Sequence, residues 1–157
     1  MRRSALLATV GIAMLVPVAA LSSVFQIAVV SGDSMAPTFH DGQVVLALHS
    51  RWVRSGPGRG AVALVRRGDD ILVKRVAYLP GDDIAPSETE GFAHVRLFFE
   101  KARAPASVLA TRERLRVPRG QVVVLGDNRT ASGDSREFGT VPVRDIVGYV
   151  LGERARR

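Results

Sequence analysis

The chain has 157 residues, no cysteine and a formal net charge of +7. That length suits one domain with its own core rather than two, and the missing thiols exclude a disulfide framework, thiol catalysis and a Cys-based zinc site. The charge alone leaves nucleic acid, anionic lipid and plain solubility open. Arg2 and Arg3 open the chain, Arg154, Arg156 and Arg157 close it, and the other basic residues are interspersed with acids, as on a solvated surface rather than in a nucleic-acid stripe.

From Ala5 to Val30 no residue is charged and Leu, Ile, Val, Ala and Met dominate. The run exceeds the roughly 20 apolar residues that cross a bilayer, and Pro17 within it is a kink that spanning helices tolerate. Arg2 and Arg3 in front favour a cytoplasmic N-terminus and an exported C-terminal part. The alternative is a secretory signal cleaved after Val18-Ala19-Ala20, against which the apolar character continues through Phe25, Ile27, Val29 and Val30. The chain is therefore expected to divide into an anchor over residues 1–30 and an exported domain over residues 31–157.

The rest of the chain predicts short strands at Val44–Leu48, Ala61–Val65, Ile71–Tyr78, Phe92–Phe99, Gln121–Leu125 and Ile146–Leu151. They are rich in β-branched, Leu and aromatic residues and separated by turn clusters such as Ser55-Gly56-Pro57-Gly58-Arg59-Gly60. Few stretches have helical period, so a mainly β fold follows. Residues 83–118 carry weaker strand signals, with Pro86, Gly91, Pro105 and many charges, and read as an insertion or small second lobe.

Three segments hold chemistry. The first is Ser31-Gly32-Asp33-Ser34-Met35-Ala36-Pro37-Thr38, a hydroxyl-rich turn that starts where the apolar run ends. A serine there needs a base, and the usual partner is histidine. His40, His49 and His94 lie in no turn-rich setting, and surface or structural roles suit all three; no metal-binding spacing is formed from them. Lysine replaces histidine when burial lowers its pKa. Of the two lysines, Lys101 sits among charges. Lys74 lies in Ile71-Leu72-Val73-Lys74-Arg75-Val76-Ala77-Tyr78, where strand alternation sets it beside Leu72 and Val76; a solvated edge-strand lysine is the other reading. The third segment, Gly126 to Arg136, combines Asp127 and Asp134 with Arg129, Arg136 and several hydroxyls. It reads as a locally satisfied surface turn or as a rigid polar network that positions something. Asn128-Arg129-Thr130 also fits a glycosylation acceptor pattern.

Taken together, these segments resemble the type I signal peptidases, membrane-bound Ser/Lys proteases that remove signal peptides from exported proteins. The resemblance rests on the Ser31–Thr38 box, Arg59-Gly60-Ala61-Val62-Ala63-Leu64, the run Lys74-Arg75-Val76-Ala77-Tyr78-Leu79-Pro80-Gly81-Asp82, and Gly126-Asp127-Asn128-Arg129 with Ser132, Asp134-Ser135-Arg136 and Gly139, in that order behind an apolar segment. Ala61 stands where an acidic residue is frequent.

The resemblance implies a signal-peptidase and repressor-protease-like β fold behind one transmembrane helix. It makes Ser34 the nucleophile, Lys74 the general base and Ser132 the hydroxyl that orients the lysine amine. Arg75, Asp127, Asp134 and Arg136 become structural ion-pair positions, while Met35 and Pro37 shape the turn and the substrate pocket. Gly32 stands where some members have an oxyanion-binding serine, so the oxyanion falls to backbone N–H groups, Ser34 first, with Gly32 and Asp33 beside it. Neither metal nor cofactor is implied. The partners are preprotein signal peptides, cut after small residues of the Ala-x-Ala type, and the lipid bilayer, with no nucleic acid. The expected protein is a monomer anchored in the cell membrane by a single span, with its catalytic domain extracytoplasmic. A processing peptidase dedicated to one substrate class, a self-cleaving repressor-type protease and a catalytically silent membrane-anchored β domain are the alternatives.

Overall fold

The computed structural model describes residues 21–84 and 115–153. The apolar run as far as Ala20, the predicted strand Phe92–Phe99, His94 and Lys101 lie outside the described residues.

The fold is mainly β. Residues 21–24 are helical and lead into β1 (Phe25–Val29), β2 (Val44–His49), β3 (Val62–Arg67), β4 (Asp70–Tyr78), β5 (Asp83–Ile84), β6 (Leu115–Arg116), β7 (Gln121–Leu125), a short helix α1 (Ser135–Phe138), β8 (Val141–Pro142) and β9 (Ile146–Val150). Seven strands form one antiparallel sheet in the order β1-β2-β9-β3-β4-β7-β8. β5 and β6 pair separately, Asp83 opposite Arg116, so the two ends of the 83–118 segment meet outside the main sheet.

Predicted and observed strands differ by a residue or two at their ends, except at the start of the domain. The helical reading of the apolar run fails at its end, because Phe25–Val29 is a strand paired along its whole length with β2, from Phe25↔Leu48 to Val29↔Val44. The sheet thus begins ahead of the boundary at residue 30 that hydropathy suggests. A long uncharged, mostly apolar stretch masks the short alternation at its end, and the β-branched Ile27 and Val29 suit a strand with a partner waiting. Among the described residues no helix is long and apolar enough to cross a membrane.

Core lies on both faces of the sheet. Alternation along β3 and β4 sends Val62, Leu64 and Val73 into one cluster with Val30, Met35, Phe39, Val45, Ala47 and Val150. Ala63, Val65 and Val76 enter a second with Val122, Val124, Val141 and Ile146. Four consecutive residues of β3, Val62 to Val65, are therefore buried, as expected of a strand covered on both sides. β4 lies beside it, paired with β3 on one edge and β7 on the other.

Candidate active site

Lys74 sits on β4, opposite Ala63 of β3, with its backbone inside the sheet rather than at an edge. The residue is only 4% exposed, which rules out the solvated edge-strand reading. Its Nζ is 2.7 Å from Ser34 Oγ, so two side chains 40 positions apart meet at hydrogen-bond distance. Burial lowers the amine's pKa below the ordinary lysine range; the charge of Asp134 opposes that shift and the charge of Arg136 adds to it. A neutral amine next to a hydroxyl is the arrangement that proton abstraction from serine requires.

The loop that carries Ser34 is tied down on several sides. At its base Val30 N–H donates to Gln43 O (2.9 Å) and Gly42 N–H to Val30 O (2.9 Å). Inside it, Ala36 N–H reaches Asp33 O, and the N–H groups of Thr38 and Phe39 both reach Met35 O. From the third segment, Asn128 N–H donates to Ser34 O (3.1 Å). Met35 is fully buried and packs with Val30 and Phe39 in the core. An unbranched, flexible apolar side chain fills such a gap well, so it anchors the turn from beneath, whereas Pro37 stays exposed.

The candidate oxyanion donors separate. Gly32, at φ +77°, donates its N–H to Asp41 Oδ1 at 2.7 Å, so that donor is already engaged. Among the described residues the Ser34 N–H makes no such bond, and it stays the first candidate.

Two ion pairs brace the surroundings. Arg75 grips Asp127 with both arms, Nε to Oδ1 at 2.8 Å and Nη2 to Oδ2 at 2.6 Å, and its Nη1 donates to Gly60 O at 2.8 Å. The Thr38 hydroxyl also donates to Asp127 Oδ2, linking the serine loop to the same carboxylate. Those contacts raise the Arg75 pKa, chiefly through the Asp127 hydrogen bond. Asp134 is fully buried; it accepts from Arg136 Nε and Nη2, both at 2.8 Å, and from the N–H groups of Gly126 (2.9 Å) and Arg136 (3.1 Å). Burial by itself would raise its pKa, but these donors outweigh it and hold the carboxyl below its usual range. Asp134 thereby caps α1 and fixes the start of the loop after β7.

Ser132 is placed differently from its expected role. Its Oγ is buried and makes no complete hydrogen bond among the described residues, to Lys74 or to any other group. The hydroxyl lies near enough to the Asp134 carboxylate to add weakly to the lowering of its pKa, without the geometry of a full hydrogen bond. It packs over Gly126, close to Ser34 O.

Sequence reasoning passed over Asp41 and Glu153. Asp41 holds the Gly32 N–H, and Glu153 Oε2 lies 3.4 Å from Arg75 Nη2 at the far end of the chain. Neither stands in a motif, and only the distance in space reveals them. Among the described residues no three His, Cys, Asp or Glu side chains gather as a metal site would need.

Residues 3–152 match the family described as "Signal peptidase, peptidase S26". The chain is 34% identical over 142 residues to Signal peptidase I of Bacillus caldolyticus, with 81% of this chain and 78% of that protein covered. It is 38% identical over 126 residues to the mitochondrial ATP-independent inner membrane protease subunit 1a of Arabidopsis thaliana (78% and 66% covered). To Signal peptidase IB of Staphylococcus aureus strain Mu50 it is 28% identical over 139 residues (77% and 73%). A match over nearly the whole chain, around a serine and a buried lysine in contact, makes this protein a member of the signal peptidase family of serine endopeptidases, peptidase S26.

Proposed function

We propose that the protein cleaves signal peptides from preproteins with Ser34 as nucleophile and neutral Lys74 as general base. The observation that carries this reading is the 2.7 Å contact between Lys74 Nζ and Ser34 Oγ, made by a lysine almost wholly removed from solvent. With the amine neutral, the hydroxyl donates into it. Ser34 Oγ bonds to the scissile carbonyl carbon while its proton passes to Lys74, and the oxyanion meets the Ser34 N–H. The lysine ammonium then protonates the leaving amine as the C–N bond breaks. A water, deprotonated by the same amine, attacks the acyl carbon, and Ser34 leaves with the returned proton.

Ser132, in this reading, limits where the lysine and the Ser34 backbone can move rather than holding the amine by a direct bond. The Arg75–Asp127 and Asp134–Arg136 pairs keep the β4 strand, the serine loop and the loop after β7 in register. Small residues before the cleaved bond, and an extended substrate bound beside the site, belong to the same proposal.

The apolar run ahead of β1 is proposed as a membrane anchor with a cytoplasmic N-terminus, the catalytic domain lying on the extracytoplasmic side. Support comes from the β1–β2 hairpin, whose outer face pairs Ile27 with Leu46 and Val29 with Val44, all four exposed. Apolar side chains in such cross-strand pairs form a surface suited to the acyl boundary of a bilayer.

The test is cleavage of a panel of preproteins in liposomes by the wild-type chain and by Ser34→Ala and Lys74→Ala, with product N-termini sequenced. Both variants are expected to be inactive while keeping the wild-type circular dichroism spectrum. Cleavage retained by either overturns the dyad, and cuts confined to one substrate make the enzyme a dedicated processing peptidase.

A further inference from the structure

A second concave site lies away from the serine, where the chain enters the sheet. It has a volume of about 400 Å³, and its lining includes Gln26, His49, Arg51, Arg66 and Arg144 but no carboxylate. Arg66 has no ion-pair partner among the described residues, and Arg144 only the distant Asp145 at 4.0 Å, with its side chain 87% exposed. Asp145 is the next residue in the chain, so it offsets part of one charge and leaves the others unbalanced. This concentration of cations without acids contrasts with Arg59, Arg75, Arg116 and Arg136, each paired with a carboxylate.

Its neighbours narrow what it can hold. Across the edge strand β1, Gln26 also borders a groove formed with Leu21, Phe25, Ile27 and Leu46, which is almost wholly apolar. The turn after β2, Ser50–Trp52, grips the last helical turn before β1: Arg51 Nη2 and Trp52 Nε1 both donate to Ser23 O, the latter at 3.0 Å. The cationic hollow is thereby held against the point where the N-terminal apolar run meets the sheet. Tryptophan and arginine side by side suit the boundary between hydrocarbon and water.

We propose that this hollow binds the phosphate-bearing headgroup of an anionic phospholipid, whose acyl chains pass over the edge strand β1 into the apolar groove. The proposal rests on the membrane placement above. Arg66 and Arg144 supply the charge for the phosphodiester, Gln26 stands between the polar and apolar parts, and Arg51 is committed to Ser23. A bound headgroup sets the orientation of the domain on the surface, because the hollow and the serine loop lie toward opposite ends of the β1–β2 hairpin.

Trp52 is the chain's single tryptophan, so intrinsic fluorescence reports on this place. The full chain in neutral detergent is titrated with dihexanoyl phosphatidylglycerol, dihexanoyl phosphatidylcholine and inorganic phosphate. Saturable change is expected with phosphatidylglycerol, with half-saturation at least about tenfold lower than for the other two. Arg66→Gln/Arg144→Gln should raise that half-saturation by about tenfold or more, given what each cation near an anionic surface contributes, and Arg119→Gln should leave it unchanged. An equal response to phosphatidylcholine, an equal response to phosphate, or undiminished affinity in the double variant overturns the proposal. Flotation of the full chain with purely phosphatidylcholine vesicles checks the membrane placement separately: failure to float refutes the anchor, whereas flotation with no preference in the titration refutes only the headgroup site.

Discussion

Gly126→Ala tests the packing between the serine loop and the loop after β7 without altering a side chain of the proposed dyad. Gly126 does not need a positive φ, so alanine brings no backbone strain of its own. A Cβ there would stand 2.5 Å from Ser34 O and 2.5 Å from Ser132 Cβ, and closer still to Ser132 Oγ. Ordinary contact begins near 3.4 Å, and even the tightest real contacts stay above 3.0 Å, so Ser34 O must retreat by 0.5–0.9 Å. Rotation of the Ser132 hydroxyl relieves one clash but not those with its Cβ or with the Ser34 backbone. Because Asn128 N–H holds Ser34 O at 3.1 Å, the retreat also costs that bond or drags the loop after β7 with it. Overpacking of this kind costs about 1–3 kcal/mol of stability, and misplacing a nucleophile by close to 1 Å costs about 100-fold in rate. The expected outcome is a folded protein with a modestly lower Tm and kcat/KM for a preprotein reduced by about 30–100-fold. Gly126→Ala/Ser132→Gly, which removes the Ser132 contacts and leaves that with Ser34 O, should recover stability more than activity. A Gly126→Ala enzyme within threefold of wild type would refute the claim that this contact sets the position of Ser34.

Three further outcomes follow from the electrostatics. Lys74→Met should abolish cleavage yet raise the Tm at neutral pH: the folded state buries an amine whose pKa burial lowers, while the unfolded chain binds the proton. Each pKa unit of lowering corresponds to about 1.4 kcal/mol; the gain should fade as pH climbs toward the ordinary lysine value, because stability rises with pH wherever the unfolded state holds more protons. A Tm unchanged by the substitution at neutral pH would contradict a depressed amine. For the wild type, kcat/KM should fall on the acid side as Lys74 becomes protonated, with a midpoint below the ordinary lysine range, read from a pH profile on a preprotein. Asp127→Ala should cost about 3 kcal/mol, measured by urea denaturation, because among the described residues it leaves Arg75 no carboxylate but Glu153 at 3.4 Å and unties Thr38; a loss below 1 kcal/mol would make the pair dispensable.

Much of the site was legible in the residues themselves. Ser34, Lys74 and the Asp127 to Arg136 loop stood out because a serine needs a base, a lysine in an apolar strand loses solvation, and charges of both signs in one loop seek one another. The strand Gln121–Leu125 was legible to the residue, since its Val run is bounded by Gly120 and Gly126. Phe25–Val29 was not, because the end of a long uncharged, mostly apolar run looks alike whether its partner is lipid or another strand. Met35 and Gly32 show the limit of a motif position, which does not say whether a side chain points into the core or whether an N–H already has an acceptor such as Asp41.

By itself the sequence determined one mainly β unit, its chemical segments and their order, since composition, alternation and turn residues are local properties of the chain. Only the tertiary structure decided that Lys74 sits between β3 and β7 and is dry, that Ser34 lies within its reach, and that Glu153 closes the Arg75 network. Desolvation and hydrogen bonding depend on what lies across space, and the partners here are separated by 40 positions for Ser34 and Lys74 and 78 for Arg75 and Glu153. The pKa of the lysine, and with it the proposed chemistry, is set by neighbours that only the fold assembles.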